Sequence, residues 1–314
     1  MLKKLMLAAS ALALSACATT PAAPPEPAFD YTGPALWKFG DEDTTVYLFG
    51  TIHVLPEGLD WLDPTVANAI ASSDEYVSEI DTSLIPDYDP ASGAPPPPEI
   101  MQIAQMQMSL AQLQTGGTLR DLMNDEDRAE YEAALASLDL PAAALDQFEP
   151  WFASMTMLQL ALPKAGYDPK DGVELMLDPL IEGKNRTAFE TIEMQMQFFD
   201  SLPMESQLIM LDQGAESLVD LSEMDEQFQQ MVSEWVEGDA DGLASVINDN
   251  LDDDPAVYDV LLTQRNIRWA DWLVERLDRP GTVFVAVGAG HLGGANSVQD
   301  LLAERGVETE RVAY

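Results

Sequence analysis

The chain has 314 residues, 46% of them hydrophobic, which is enough to bury a large core in one domain or two lobes. Its 55 acidic and 15 basic residues give a formal net charge of −40. A surface this acidic repels nucleic acid and anionic lipid headgroups, so we exclude a nucleic-acid-binding function. Solubility, or adaptation to salty surroundings, is the simplest interpretation of the charge.

The amino terminus has the pattern of a targeting signal. Lys3 and Lys4 precede an apolar run at residues 5–14, which is shorter than the ~20 residues of a bilayer-spanning helix. The next residues, LSAC at positions 14–17, resemble a bacterial lipobox. That resemblance implies cleavage before Cys17 and lipidation of its sulfur. The alternative is an ordinary cleaved signal in which the cysteine falls there by accident.

These features divide the chain into three parts. We expect a lipoprotein signal peptide at residues 1–16, a Pro/Ala-rich tether at residues 17–33 and one folded domain at residues 34–314. Cys17 is the only cysteine, so the fold contains no intramolecular disulfide. Because Ala18 rather than an aspartate follows it, we expect an anchor in the outer membrane, on the periplasmic face of the cell envelope.

The first predicted unit of the domain combines strands with one helix. Apolar residues around positions 37–39 and 46–49 flank a polar turn and predict a hairpin. Asp63 and Pro64 are typical of a helix start, and a second β-branched run follows at residues 75–81. This strand–helix–strand order favours parallel neighbours in a mixed α/β fold.

A long helical region separates this unit from a similar one near the carboxyl terminus. Helical patterns cover residues 99–162, 171–183 and 191–248, with a short strand at residues 186–190. The last part predicts a helix at residues 255–277, followed by strand, helix and strand to residue 312. The expected fold is therefore a central, mostly parallel sheet with strand–His–helix–strand units at both ends and a large helical insertion.

The two histidines of the chain occur in matching contexts. His53 and His291 each come three residues after a glycine, Gly50 and Gly288, at the end of a β-branched run. Strand carboxyl ends in α/β folds open onto ligand-binding crevices, and glycine permits a tight turn there. Imidazole is both a metal ligand and a general base near neutral pH. We therefore predict that the two histidines belong to one site.

Several charged residues are candidates for the same site. Glu79 ends the strand predicted to neighbour that of His53, and a buried carboxylate needs a metal, arginine or histidine partner. Asp81, two residues further on, is an alternative partner. Arg265 is the cation that would pair with a carboxylate or stabilise an oxyanion. Glu174 and Glu190 are further candidates, and Glu190 also ends a predicted strand.

Segments spread over the whole folded chain resemble the TraB/GumN family. They are residues 36–38, 46–54 and 77–81, the central "ET-x-E-x-Q" stretch at 190–195, and the carboxyl-terminal segments 265–266 and 287–294. The family includes the Tiki-type metalloproteases and is similar in core to erythromycin-esterase-like hydrolases. The resemblance implies a hydrolytic site with His53 and His291 as the two G-x-x-H histidines, Glu79 as the acid and Arg265 as the arginine.

Three functions follow as hypotheses. In the first, a periplasmic, lipid-anchored hydrolase cleaves a peptide or ester with a divalent metal held by His53, Glu79 and His291; the resemblance favours Mn or Co over Zn. In the second, a histidine acts as a base without metal and Glu79 orients it. In the third, the chain is a non-catalytic lipoprotein that binds a component of the envelope.

Overall fold

A computed structural model describes residues 33–314, except residues 87, 89–91, 220 and 249–253. The side chains of residues 169, 221–223 and 248 are also outside this description. The predicted signal peptide, the lipidation site Cys17 and nearly all of the predicted tether therefore lie outside the described residues.

The described strands form one central sheet and a small separate ribbon. They are β1 (Leu36–Gly40), β2 (Thr44–Thr51), β3 (Leu55–Pro56), β4 (Glu75–Ser78), β5 (Tyr167–Asp168), β6 (Asn185–Ala188), β7 (Gly281–Gly288) and β8 (Glu310–Arg311). Six of them are ordered β6-β4-β7-β2-β1-β8, while β3 pairs with β5. The predicted hairpin is confirmed as β1 and β2.

The four strands β6, β4, β7 and β2 run parallel, so their carboxyl ends lie along one edge of the sheet. β1 and β8 complete the other side in antiparallel pairings. β2 and β7 are almost continuously apolar, as expected for strands covered on both faces. The predicted mixed α/β fold with a mostly parallel sheet is confirmed.

The strand order corrects one expectation. We predicted that the strand before Glu79 neighbours the strand before His53, but β7 lies between β4 and β2. The His291 strand is thus the central one, and the two other strand ends flank it. Local sequence patterns define strands and not their order, which depends on how the intervening helices cross the sheet.

Twelve α-helices surround the sheet in the described part of the chain. They are α1 (Pro64–Ser72), α2 (Pro98–Leu110), α3 (Asp125–Ser137), α4 (Pro150–Ala161), α5 (Val173–Leu177), α6 (Ile192–Asp200), α7 (Met204–Val219), α8 (Leu221–Glu237), α9 (Ala240–Asn248), α10 (Pro255–Tyr258), α11 (Gln264–Arg276) and α12 (Val298–Glu304). A π-helical turn, Asp259–Thr263, joins α10 to α11. None of these helices is long and apolar enough to cross a membrane.

Both faces of the sheet are covered by apolar helix residues. One core places Ile70 of α1 and Trp235 of α8 against Phe49 and Phe284 of the sheet. The other places Leu273 of α11 and residues of α12 against the opposite face. A third core joins α3, α4 and α7 in the helical insertion. This layering leaves the carboxyl edge of the parallel strands available for a site.

Helix lengths differ from expectation mainly near prolines. α1 begins as predicted, with the Asp63 side chain accepting from the Thr65 amide at 2.6 Å and Pro64 in the first turn. The helix expected at residues 171–183 contains only the five α-helical residues of α5. A 3₁₀ turn that includes Pro179 follows it, because proline lacks the amide that a continued helix requires.

Candidate functional site

The carboxyl edge of the parallel sheet brings four predicted site residues to one region. His53 follows β2, Glu79 follows β4, Glu190 follows β6 and His291 follows β7. Arg265 reaches the same region from α11. The predicted convergence of strand ends is therefore present, although the residues form two separate hydrogen-bonded groups.

The first group is a buried network around Arg265. Its Nη2 donates to Glu79 Oε2 at 2.5 Å and to Glu190 Oε2 at 2.8 Å, and its Nε donates to Glu190 Oε1 at 2.9 Å. Nη1 contacts the Leu261 carbonyl oxygen at 3.2 Å and His291 Nε2 at 3.1 Å. All five N–H donors of the guanidinium are thus engaged. Arg265 therefore pairs with carboxylates, the first of the two roles that we predicted, and holds no donor free for an oxyanion, the second.

Glu79 is an ionised carboxylate fixed on both oxygens. Its Oε1 accepts from the Gly288 amide at 2.7 Å, and its Oε2 accepts from Arg265 and, at 2.9 Å, from Gln195 Nε2. Burial by itself would raise the pKa of Glu79, but the charge of Arg265, added to smaller effects of the two histidines and of the Gly288 amide, lowers the pKa to about 2. The Gly288 amide thereby ties the end of β7 to the residue after β4.

His291 is neutral, and both of its ring nitrogens are engaged. Because Arg265 only donates, His291 Nε2 must accept, which leaves the proton on Nδ1 to donate to Asn266 Oδ1 at 2.6 Å. Burial, opposed by the charge of Glu79 and reinforced by that of Arg265, lowers the pKa of His291 to about 3. His291 is therefore a fixed hydrogen-bonding residue at neutral pH.

The second group is centred on His53 at the surface of the cleft. Its Nδ1 contacts Glu174 Oε1 at 2.8 Å, and the Thr51 hydroxyl donates to the same oxygen at 2.6 Å. The hydrogen bond to Glu174 and the charge of that carboxylate raise the pKa of His53 to about 9. The His53 side chain is 73% exposed, and no described residue forms a hydrogen bond with its Nε2. A carboxylate-oriented imidazole with a free nitrogen is suited to proton transfer.

The remaining candidates divide between the two groups and a turn. Glu174 orients His53, and Glu190 pairs with Arg265 while also accepting from Trp269 Nε1 at 3.1 Å. Asp81 lies in neither group. It caps a 3₁₀ turn by accepting from the Ser83 amide at 3.0 Å and from the Ser83 hydroxyl at 2.6 Å. It is therefore not the partner of a site histidine.

Three residues that complete the site were not among the predicted candidates. Gln195 bridges Glu79 and Glu190, Asn266 orients His291, and Trp269 lies 4.3 Å from the His291 ring between centroids. Asn266 and Gln195 occur within the segments that resemble the TraB/GumN family. The spacing of residues 265, 266 and 269 on one helix face was a further signal for Trp269.

A cleft of about 360 Å³ connects the two groups. Its lining includes His53, Glu79, Glu174 and Gln195, together with residues of β4 and of the segment that follows α5. The exposed edge of the His53 ring and the carboxylate of Glu79 thus face one volume large enough for part of a peptide or ester.

The predicted metal set of His53, Glu79 and His291 does not match this arrangement. The guanidinium of Arg265 contacts both Glu79 and His291, so its positive charge would repel a metal cation bound there. In addition, His291 has no nitrogen free for a bond to a metal. Within the residues that the structure describes, no group of three or more His, Cys, Asp or Glu side chains has the arrangement of a metal site. These residues therefore do not fit the predicted Mn, Co or Zn ion.

Comparisons with known proteins identify the family of the chain. No curated protein matches it, and no solved structure does. The model of the TraB/PrgY/gumN family matches residues 35–311, which include both strand–histidine units and the helices between them. The chain belongs to the TraB/PrgY/gumN family.

Proposed function

We propose that this chain is a hydrolase that acts on a carbonyl group, peptide or ester, with His53 as the general acid–base and without a bound metal. The observation that carries the proposal is the pairing of His53 Nδ1 with Glu174, which leaves Nε2 free at the cleft. This favours the second of the three hypotheses, with Glu174 rather than Glu79 orienting the histidine.

The proposed reaction uses the two nitrogens of His53 differently. In its neutral form, Nε2 takes a proton from water as the water oxygen attacks the carbonyl carbon, and Glu174 stabilises the imidazolium that forms. The same Nε2–H then protonates the leaving amine or alkoxide as the bond to the carbonyl carbon breaks. Glu79, fixed by Arg265 and the Gly288 amide, adds negative charge that favours the imidazolium.

Activity of the purified domain towards peptide and ester libraries tests this proposal. We expect wild type to cleave a member of one library and His53→Gln to lose ~10²–10⁴-fold in kcat, the range for removal of a general acid–base. Glu57→Gln, an exposed change on the same loop and outside the cleft, is the matched control. Equal activity of wild type and His53→Gln would contradict the role of His53.

Chelation separates this proposal from the metal-dependent one. We expect the activity to survive exhaustive treatment with EDTA, because the donor atoms of Glu79 and His291 are already engaged by protein groups. Loss of activity with EDTA and its recovery with Mn²⁺ or Co²⁺ would overturn the metal-free mechanism. It would also imply that Arg265 leaves its observed position to admit the ion.

We also propose that the domain is attached to the cell envelope through a lipid on Cys17. The support is the lipobox-like LSAC sequence at positions 14–17 after a short apolar run. Metabolic labelling with a palmitate analogue should mark the full-length protein, and Cys17→Ser should abolish the label. A label that persists in Cys17→Ser would place lipidation elsewhere.

A further inference from the structure

The cleft contains a polar group that the proposed reaction does not use. Tyr76 lies on β4, is only 4% exposed and lines the cleft. Its ring stacks on Phe284 with 6.4 Å between centroids and 10° between planes. Among the described residues, none forms a hydrogen bond with its hydroxyl. A hydroxyl at the wall of a cleft and without a protein partner is available to a ligand or to water.

The charges beside this hydroxyl are mainly negative. Glu174 and Asp178 line the same cleft. After burial, their charges contribute most to raising the pKa of Tyr76, and Arg186 opposes them only in part. Arg186 contacts Asp178 through Oδ1 alone, at 3.3 Å. Among the described residues that line the cleft, three are carboxylates and one, His53, is a cation at neutral pH, so the negative charges outnumber the positive one and the cavity favours a cation.

The cleft also has apolar walls. Ile181 is buried, Ala286 comes from β7 beside β4, and Leu175 is a partly exposed residue of α5. Such walls fit a short hydrocarbon stem and exclude water from the charged group that it carries. A ligand with an apolar stem and a cationic hydrogen-bond donor at its tip matches all three observations.

We propose that the part of the cleft around Tyr76 is a binding subsite for an ammonium group of the substrate, contacted by the Tyr76 hydroxyl and the Asp178 carboxylate. The ammonium donates to both oxygens while its stem packs against Ile181 and Ala286. The subsite rests on the proposed function in one respect only, which is that the cleft binds the substrate. The substrate class is then an amine-bearing peptide or ester.

Binding of small probes tests the subsite without any turnover. We would titrate the purified domain with n-pentylammonium, n-pentanol and pentanoate at matched ionic strength and measure Kd by ligand-observed NMR. A hydrogen bond to a charged group corresponds to roughly tenfold or more in Kd, so pentylammonium should bind at least about tenfold more tightly than pentanol. Pentanoate should bind most weakly.

Two variants test whether Tyr76 and Asp178 cause the preference for pentylammonium. Tyr76→Phe keeps the ring on Phe284, and Asp178→Asn changes a side chain that is 39% exposed, so both should fold with melting temperatures near that of wild type. Each should weaken pentylammonium binding by roughly tenfold, whereas the exposed control Glu182→Gln should leave it unchanged. Equal Kd values for pentylammonium and pentanol, or unchanged binding in both variants, would overturn the subsite.

The outcomes separate this inference from the proposed function. Selective ammonium binding without cleavage of any library member would leave the subsite in place and contradict the hydrolase. Cleavage that depends on His53, combined with no preference for ammonium, would contradict the subsite alone.

Discussion

Arg265 shows how one side chain determines the charge state of its neighbours. It neutralises Glu79 and Glu190, which are among the least exposed carboxylates of the site, and its own side chain is only 10% exposed. Burial is the main reason that His291 is neutral, and the charge of Arg265 adds to this effect. The sequence predicted that Arg265 pairs with a carboxylate, but it did not show that protein groups occupy all of its donors.

Removal of Arg265 should destabilise the domain severely. Arg265→Ala removes the nearest counter-charge of two buried carboxylates, and breaking a buried pair costs about 3–5 kcal/mol. Urea denaturation measures the loss in the free energy of unfolding. Arg268→Ala is the control, since Arg268 lies over the same Phe198 ring but is 42% exposed and 3.9 Å from Glu190; it should cost less than about 1 kcal/mol. Equal losses in the two variants would contradict the network.

The two histidines should titrate very differently. In an NMR titration of ¹⁵N-labelled protein, His53 should change protonation near pH 9, while His291 should remain neutral with its proton on Nδ1 down to about pH 3. Glu174→Gln removes the partner of the His53 imidazolium, so the pKa of His53 should fall towards 6.5. Since the chain has only these two histidines, one variant assigns both signals. An unshifted His53 in Glu174→Gln would contradict the pairing.

The same pair has a defined effect on stability. The folded-state pKa of His53 lies above its unfolded value, so its contribution is fully present below pH 6.5 and is lost as the pH rises through about 9. Solvent at the exposed ring screens the pair, so this contribution is small. Its sign remains testable, since Glu174→Gln should flatten the decline in melting temperature between pH 7 and 10.

At the level of elements, the glycines before the histidines are required by space and not by a left-handed backbone. Neither Gly50 nor Gly288 has a positive φ, although the chain does turn tightly after Gly288, in the 3₁₀ turn Ala289–His291. A Cβ on Gly50 would lie 3.0 Å from Ala289 Cβ and 3.1 Å from Ala289 Cα, and one on Gly288 would lie 3.0 Å from Glu79 Oε1. The ends of β2, β4 and β7 therefore approach closely because these positions lack side chains.

Adding a methyl group should separate these strand ends. Gly50→Ala must displace backbone at Ala289, and overpacking of this kind costs about 1–3 kcal/mol. Gly116→Ala is the matched control, because nothing lies within 4 Å of its added Cβ and its φ is not positive. Thermal denaturation should show a clear drop for Gly50→Ala and little change for Gly116→Ala. Similar melting temperatures for both would contradict the close approach.

Over the whole molecule, the net charge of −40 should oppose folding at low ionic strength. Salt screens repulsion between exposed carboxylates, with a screening length of about 30 Å at 0.01 M and about 3 Å at 1 M. The melting temperature should therefore rise as NaCl is increased over this range, with KCl as a check on ion identity. A melting temperature that falls in both salts would show that attractive surface pairs dominate.

The sequence by itself determined the elements and the residues at their ends. Apolar runs and caps are local, and they predicted β1, β2, β7 and α1 as well as the histidines that follow two of the strands. Because parallel strands in a layered fold end at a common edge, the sequence also placed His53, Glu79 and His291 in one region.

Only the tertiary structure decided how those residues are paired. Glu174 is 121 residues from His53, and Arg265 is 186 residues from Glu79, so no local pattern indicates either contact. The insertion of β7 between β4 and β2 directs His291 towards Arg265 and Asn266, away from the His53 pair. The physical reason is that chemistry at such a site depends on which donors remain free, and packing of distant segments determines this.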